Sequence, residues 1–543
     1  MQTITVWTGQ QIVARYNLRF LFTAWWIGLT IAAFLQIVFW PEKENQLCVL
    51  LAWAACMLTG RAVMRSWVTV SHPWSSMLVL MFCLTNLGFP LILLTVQGDP
   101  LAAGLEVPTQ TYFHLFVCQL VMLIIHYIYR KLAFFKVVGR IIRNRVLSPL
   151  GFLYKPNTAE VFFIGIIGMV ASAYVYCYLR AVQVNANAVT GSIVDKTIAG
   201  FIPLVYAPYL LLLYKNSISH NERRIRRMAV ALYTIPIFVI ALAFNARCYG
   251  FIAVATISIT AVLMLFSGEI KMPATKTMLL WGIILLLLLT IGSDLSIAMR
   301  EARNDREAKS SEELVTETLR YMTTDRAALN TLRSQISSGE DDDEAWYVTS
   351  PIFSRLVYTH FQDKALAIGL GLSAHDSETI RRIEIEKILI TLPNPVLKLC
   401  QIPVNKDEVG VNSMGDWMSY LGGRQTAYQM GGNGSGGFIG DGYCAYGWGY
   451  LLPFGCVAIL IFLFSDSLYG DSVVMANGEN SGTKNFAIIG LIYSYPMAIF
   501  LNNDSISGLI SFLMRQPLQW LILYGIVLFV ARPLIRLIFG KFI

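Results

Sequence analysis

The chain has 543 residues, of which 55% are hydrophobic and only 14% charged, with a formal net charge of +8. Soluble domains carry about 25% charged residues, so this composition excludes an ordinary soluble fold and points to an all-α polytopic membrane protein. The positive balance calls for no nucleic-acid partner, because membrane topology and contact with anionic headgroups account for it.

The opening MQTITVWTGQQIVARYN is too polar for the apolar core of a signal peptide, so the first apolar run reads as a retained span. Roughly 20 apolar residues cross the hydrocarbon as a helix, and about twelve such runs are predicted. They lie at 18–40, 47–66, 76–97, 112–130, 160–181, 197–215, 228–246, 249–267, 277–297, 447–468, 486–503 and 517–534. RKLAFFKVVGRIIRNR follows the fourth run and HNERRIRRM follows the sixth. Basic loops face the cytoplasm, which puts both termini inside and leaves only Lys43, Arg180, Lys196, Arg247 and Arg515 on the outer edges. KVVGRIIRNR alternates apolar and basic residues, the pattern of an amphipathic helix lying in the interface. The nine cysteines show no metal-ligand spacing and read as small buried hydrophobes; only Cys400 and Cys444 fall in a polar segment, where a disulfide between them is open.

Residues 298–446 form a connection too long for a turn, so they are expected to fold as a mainly helical extracytoplasmic lid between spans nine and ten. The membrane domain then comprises 1–297 and 447–543. In the first half of the lid, Val315, Leu319, Met322, Leu329, Leu332 and Ile336 recur at helical spacing among alternating charges, predicting a solvated helix that extends span nine. SSGEDDDEAW lacks the central glycine and closing glutamate of an EF-hand loop and reads as a linker. The second half holds Arg355, His360 and Asp363, then an amphipathic run that stops at Pro393-Asn394-Pro395.

MGGNGSGGFIGDGYCAYGWGY, 430–450, closes the lid. It has no GK[ST], follows no strand and lies on the outer side, so it is no nucleotide loop. Its tyrosines and tryptophan fit the membrane interface, and its glycines allow a tight turn into the next span. GDGYCAYGWG at the start of a late span resembles the motif of Wzy-type O-antigen and exopolysaccharide repeat-unit polymerases, with Asp441, Tyr443, Tyr446, Gly447 and Gly449 at matching positions and Asp in place of the commoner Glu. Arg247 in FNARCYG, SRL at Ser354–Leu356 and ILITLPNPVL fall in the order that family shows, so the resemblance covers roughly residues 228 to 460.

The resemblance implies a GT-C-type, inverting glycosyl transfer at the outer face of the bacterial inner membrane, without metal or cofactor. Donor and acceptor would be glycans linked to undecaprenyl pyrophosphate, with membrane lipids and a polysaccharide chain-length regulator as further candidate partners. An arginine fork suits the pyrophosphate leaving group, because it stays charged when partly desolvated. Arg247, Arg355, Arg381 and Arg382 are the candidates for that role. Snorkelling competes for Arg247, an ion pair with Asp363 for Arg355, and intrahelical pairing with Glu384 or Glu386 for Arg381 and Arg382. Asp441, Arg355 and His360 are the candidate catalytic residues, with His375 the other lid histidine. Tyr443, Tyr446 and Arg424 are candidate sugar contacts, against a solvated surface role for Arg424. Arg61 and Glu269 lie at cytoplasmic span ends and read as snorkelling or capping. An O-antigen ligase delivering glycan to lipid A core shares this layout, and a lipid-linked oligosaccharide flippase is the rival from another class.

Overall fold

The computed structural model describes residues 9–154, 156–175, 193–213, 220–243, 248–303, 311–324, 327, 329–331, 351–354, 356–426, 430–431, 436–471, 484–502 and 505–539. Helix dominates them. The one sheet among the described residues is a two-stranded antiparallel pair, Tyr469–Asp471 with Lys484–Phe486, in which Tyr469 faces Phe486.

Eight helical segments among the described residues are long and apolar enough to cross a membrane. They are α1 (Gly9–Phe39), α2 (Lys43–Val63), α3 (Pro73–Gln97), α4 (Pro108–Lys131), α5 (His220–Ala243), α6 (Cys248–Ser267), the segment Phe438–Ser467, and a final helix beginning at Ile506. The all-α membrane architecture therefore stands, with eight complete spans among the described residues where twelve are expected of the chain. The physical reasons are local. Residues 202–212 form a 3₁₀ helix, because Pro208 inside it removes a backbone donor and blocks a regular α-helix. The run 486–503 breaks into Ile488–Ile492, Ser494–Ala498 and a 3₁₀ turn, with Pro496 in the middle piece. Thr158–Ala173 is an apolar helix of only 16 residues, with residues 176–181 of the predicted run outside the described set. The ninth predicted span lies within the 29-residue helix Thr275–Arg303.

The chain separates into two compact units. One gathers 1–141, 353–467 and 496–518. The second half of the long segment thus packs with the first four spanning helices. Its helices are α7 (Thr359–Gly371), α8 (Ala374–Leu389), α9 (Met414–Leu421) and α10 (Phe438–Tyr446). They close on a small core of Ile368, Ile380, Ile383, Met414, Met418 and Ala445. Serine caps start two of them: Ser373 accepts from the Asp376 N–H, and Ser413 with Asp416 makes a complete capping box. α11 (Leu451–Ser467) and α12 (Ile506–Phe539) follow. Cys400 is a free, exposed thiol, and Cys444 is free and meets the Ser377 hydroxyl at 3.2 Å, so no disulfide joins them.

The other unit gathers 142–352, 468–495 and 519–543. Here the helix Thr158–Ala173 presses against the 3₁₀ segment so closely that a Cβ on Gly168 would lie 2.1 Å from the Val205 nitrogen. The Tyr233 hydroxyl pins both, donating toward the carbonyls of Gly165 (2.8 Å) and Val205 (2.9 Å). In the first half of the long segment, Tyr321, Met322 and Leu329 pack on Ile297 and Ala298. The predicted stripe therefore folds back on the end of the ninth run instead of extending it, while Leu332, Ile336 and SSGEDDDEAW lie outside the described residues.

A device recurs in the first unit: a carboxylate distant in sequence caps the start of a spanning helix. Asp363 of α7 accepts from the N–H groups of Glu106 (2.6 Å) and Val107 (3.1 Å) and from the Thr111 hydroxyl (2.8 Å), at the start of α4. Asp466 of α11 accepts from the N–H groups of Trp74 (3.1 Å) and Ser75 (3.2 Å) and from the Ser75 hydroxyl (2.7 Å), at the start of α3. At α3 these are first N–H groups of the helix itself, which have no partner within it and carry the positive end of its dipole, so an anion suits them; at α4 they are the two N–H groups just before Pro108.

Candidate functional site

The glycine-rich stretch is where these elements meet. Residues 432–435 lie outside the described set, and α10 starts at Phe438, earlier than a lid returning at 447 would have it. Its glycines make a close helix crossing with α7. A Cβ on Gly437 would lie 2.8 Å from the Phe361 carbonyl oxygen, and one on Gly440 only 2.2 Å from the Ala365 carbonyl carbon. From the other side, a Cβ on Gly369 would lie 2.8 Å from the Gly440 carbonyl oxygen. Small residues on both helices let two backbones touch, as in close crossings within membranes.

α10 then folds back. Gly447 has φ 55° and ψ −145°, a backbone state that glycine alone takes readily. The rings of Phe438 and Phe454 stack with centroids 5.1 Å apart. Sixteen residues of straight helix would separate them by about 24 Å, so α10 cannot be collinear with α11. It is a short helix laid against the beginning of a span.

The fold-back delivers Asp441 to the start of α12. Asp441 is 1% exposed, and its Oδ2 accepts from the Ile506 N–H at 3.0 Å. Glu384 of α8, also buried, accepts from the Ser507 N–H at 2.7 Å, and the Ser505 hydroxyl accepts from the Gly508 N–H at 2.9 Å. The Leu509 N–H donates to the Ser505 carbonyl at 3.1 Å, so each of the first four N–H groups of α12 has a named acceptor. Tyr446 lies within electrostatic range of this pair and of Arg381. Arg381 is exposed and forms an i,i+3 ion pair with Glu378 at 3.0 Å, and Arg382 is exposed beside it.

The sequence offers Glu384 only as an ion-pair partner for Arg381 or Arg382; instead it is buried and accepts from the Ser507 N–H, while Arg381 pairs with Glu378. The signal for Glu384 was position: it stands four residues after Ile380, on the face that enters the core, where an acid needs a partner.

A second group surrounds Arg424. Its guanidinium grips Glu106 with two bonds of 2.6 Å each. That fork holds the Glu106 carboxyl below the usual carboxylate range and raises the arginine in turn. Burial raises the nearby Asp363 despite its three hydrogen bonds. His360 is pushed down to about 4, first by burial and then by Lys364, with Glu106 opposing. A histidine depressed from 6.5 stays neutral in the folded chain while the unfolded chain takes up a proton, so its stability contribution is full above pH 6.5 and is lost toward pH 4. Lowering the pH from 7 to 5 is therefore expected to cost roughly 1–2 kcal/mol through this residue. Thermal unfolding against pH should show that slope in the wild type and a flatter profile in His360→Gln. His375 is exposed on α8.

A third group is aromatic. Tyr443 meets the His114 ring edge-on at 4.8 Å, and Trp448 stacks on His114 at 4.2 Å with 4° between planes. The His114 Nδ1 lies 3.1 Å from the Tyr450 hydroxyl.

Deeper in the same unit, residues 84–88 of α3 form a π-helical turn midway along the span. The Thr85 carbonyl accepts from the Tyr358 N–H (3.0 Å), and the Asn86 carbonyl accepts from the Thr359 hydroxyl (2.6 Å). The Asn86 amide donates to Asn502 Oδ1 at 2.5 Å, and the Asn502 amide donates to the Thr85 hydroxyl at 2.8 Å. Such turns free backbone groups that protein must satisfy at membrane depth.

Of the residues singled out by sequence, the structure brings Asp441, Tyr446 and Arg381 together, sets Tyr443 in the aromatic group, and puts His360 and Arg424 around Glu106. Arg247 and Arg355 lie outside the described residues. Comparison with known proteins gave no match, whether to a family model, a curated protein or a solved structure.

Proposed function

We propose that the protein is a Wzy-type polysaccharide polymerase, a membrane glycosyltransferase that joins undecaprenyl-pyrophosphate-linked repeat units at the outer face of the bacterial inner membrane. The observation that carries this reading is the meeting of the motif residues Asp441 and Tyr446 with Glu384 and Arg381 where the long polar segment folds into a span. Arg381 and Arg382 are assigned to the donor pyrophosphate, whose charge grows as the sugar departs, with Arg247 and Arg355, outside the described residues, as further candidates for that role. The acceptor hydroxyl attacks the anomeric carbon, the bond to the pyrophosphate oxygen breaks, and the hydroxyl proton passes to a neighbouring base. His360, kept neutral by its surroundings, is assigned that role, and Asp441 a positioning one, because its carboxylate is buried against a helix end.

The test is incubation of purified protein with a defined lipid-linked repeat unit, read as a ladder on a gel. Wild type is expected to build the ladder with EDTA present. Arg247→Ala and Arg355→Ala should express normally and slow polymerisation at least tenfold, since each removes a charged contact to the leaving group. Full activity in both variants, or a ladder lost with EDTA and restored by divalent ions, would overturn the scheme. Transfer of glycan to lipid A core without a ladder would mark a ligase instead.

A further inference from the structure

We propose that the indole of Trp448 is a sugar-binding platform, which takes the pyranose ring of the glycan carried by the lipid-linked substrate. The inference rests on the polymerase reading for its substrate but on separate geometry for its site.

A tryptophan at a membrane edge is ordinarily explained by the headgroup belt, in which the ring floats at the interface. Trp448 does not float. It lies flat on the His114 ring, with Tyr443 edge-on at 5.7 Å and Phe113 edge-on at 5.9 Å. His114 is itself anchored in the protein by the Tyr450 hydroxyl and is almost wholly buried. Yet Trp448 remains 43% exposed. Glycines flank it on both sides.

A large ring held in one orientation from beneath and left partly exposed is preorganised for a flat partner, since little freedom is lost on binding. One face of a pyranose is a layer of C–H bonds with partial positive charge, which complements the negative face of an aromatic ring. The platform sits two residues beyond Tyr446, and Tyr446 lies within electrostatic range of Glu384, Asp441 and Arg381.

The experiment compares binding of two probes to the full chain in nanodiscs: a polyprenyl-pyrophosphate-linked oligosaccharide, and the same polyprenyl pyrophosphate without sugar. If stacking on the ring contributes about as much as an aromatic pair, Trp448→Leu should weaken binding of the glycosylated lipid roughly 2- to 13-fold. It should leave the sugar-free lipid unchanged, and Trp448→Tyr should restore most of the loss. Equal loss for both probes would mean that Trp448 serves the membrane and not the sugar, and no loss for either would equally overturn the platform. Polymerisation with Trp448→Leu behaving as wild type in binding would sink the platform and spare the polymerase. Trp448-dependent binding without any ladder from wild type would do the reverse, and failure of wild type to bind either lipid would overturn both.

Discussion

Gly440→Ala is expected to destabilise the protein by about 3 kcal/mol or more, and Gly440→Leu to leave almost none folded. In an isolated helix the alanine would help, by about 1 kcal/mol relative to glycine. Here the added carbon falls 2.2 Å from the carbonyl carbon of Ala365, 2.3 Å from its oxygen and 2.6 Å from the Leu366 nitrogen. All three are backbone atoms, which cannot step aside by changing rotamer as a side chain could, so α7 and α10 must part. The clash outweighs the propensity gain. Gly28→Ala is the control: it adds a carbon to α1 with nothing within 4 Å, and should be neutral or slightly stabilising. Yield and thermal unfolding in detergent, followed by size exclusion, would measure both. Equal stability of Gly440→Ala and Gly28→Ala would refute the tight crossing.

The second large effect concerns the buried acids at α12. Asp441→Ala and Glu384→Ala are each expected to lose about 2–3 kcal/mol, as each strips the carboxyl acceptor from a buried N–H. Asp441→Asn keeps an acceptor oxygen and should lose about 1 kcal/mol or less. That asymmetry also separates structure from chemistry. If Asp441 positions α12, Asp441→Asn should retain most of its polymerising activity at a temperature where it is folded. Folded but inactive Asp441→Asn protein would make the carboxylate a catalytic group and overturn the positioning role.

Hydropathy was legible for the long spans, because α1 to α6 bury or expose apolar runs of the required length. It failed where proline or packing altered the helix, at 202–212 and 486–502, since an apolar run scores alike whether it is one helix or three fragments. Asp441 could be picked out as unusual from its glycine frame, but not its partner: nothing near it in sequence names Ile506. Glu384 stands in RRIEIEK, a run of five charged residues and two isoleucines, where only its helical phase relative to Ile380 distinguishes it. The glycines suggest a tight turn into the next span, and Gly447 makes one. Gly437 and Gly440 instead serve a contact with a helix some 75 residues earlier, and the small-residue spacing of Ala365 and Gly369 was its only trace.

The long-range caps have a consequence for how the molecule is made. Trp74 and Ser75 await an acceptor carried by Asp466, which in the case of Ser75 lies 391 residues further on, and Glu106 awaits Asp363, 257 residues on. At a ribosomal pace of about 5–20 residues per second, the start of α3 waits roughly 20–80 s for its carboxylate. During that interval the early helices sit in the bilayer with uncapped ends, dependent on water, lipid headgroups or an insertase. A nascent chain cut short before Asp363 would carry those ends permanently, which makes truncated products natural prey for membrane proteases.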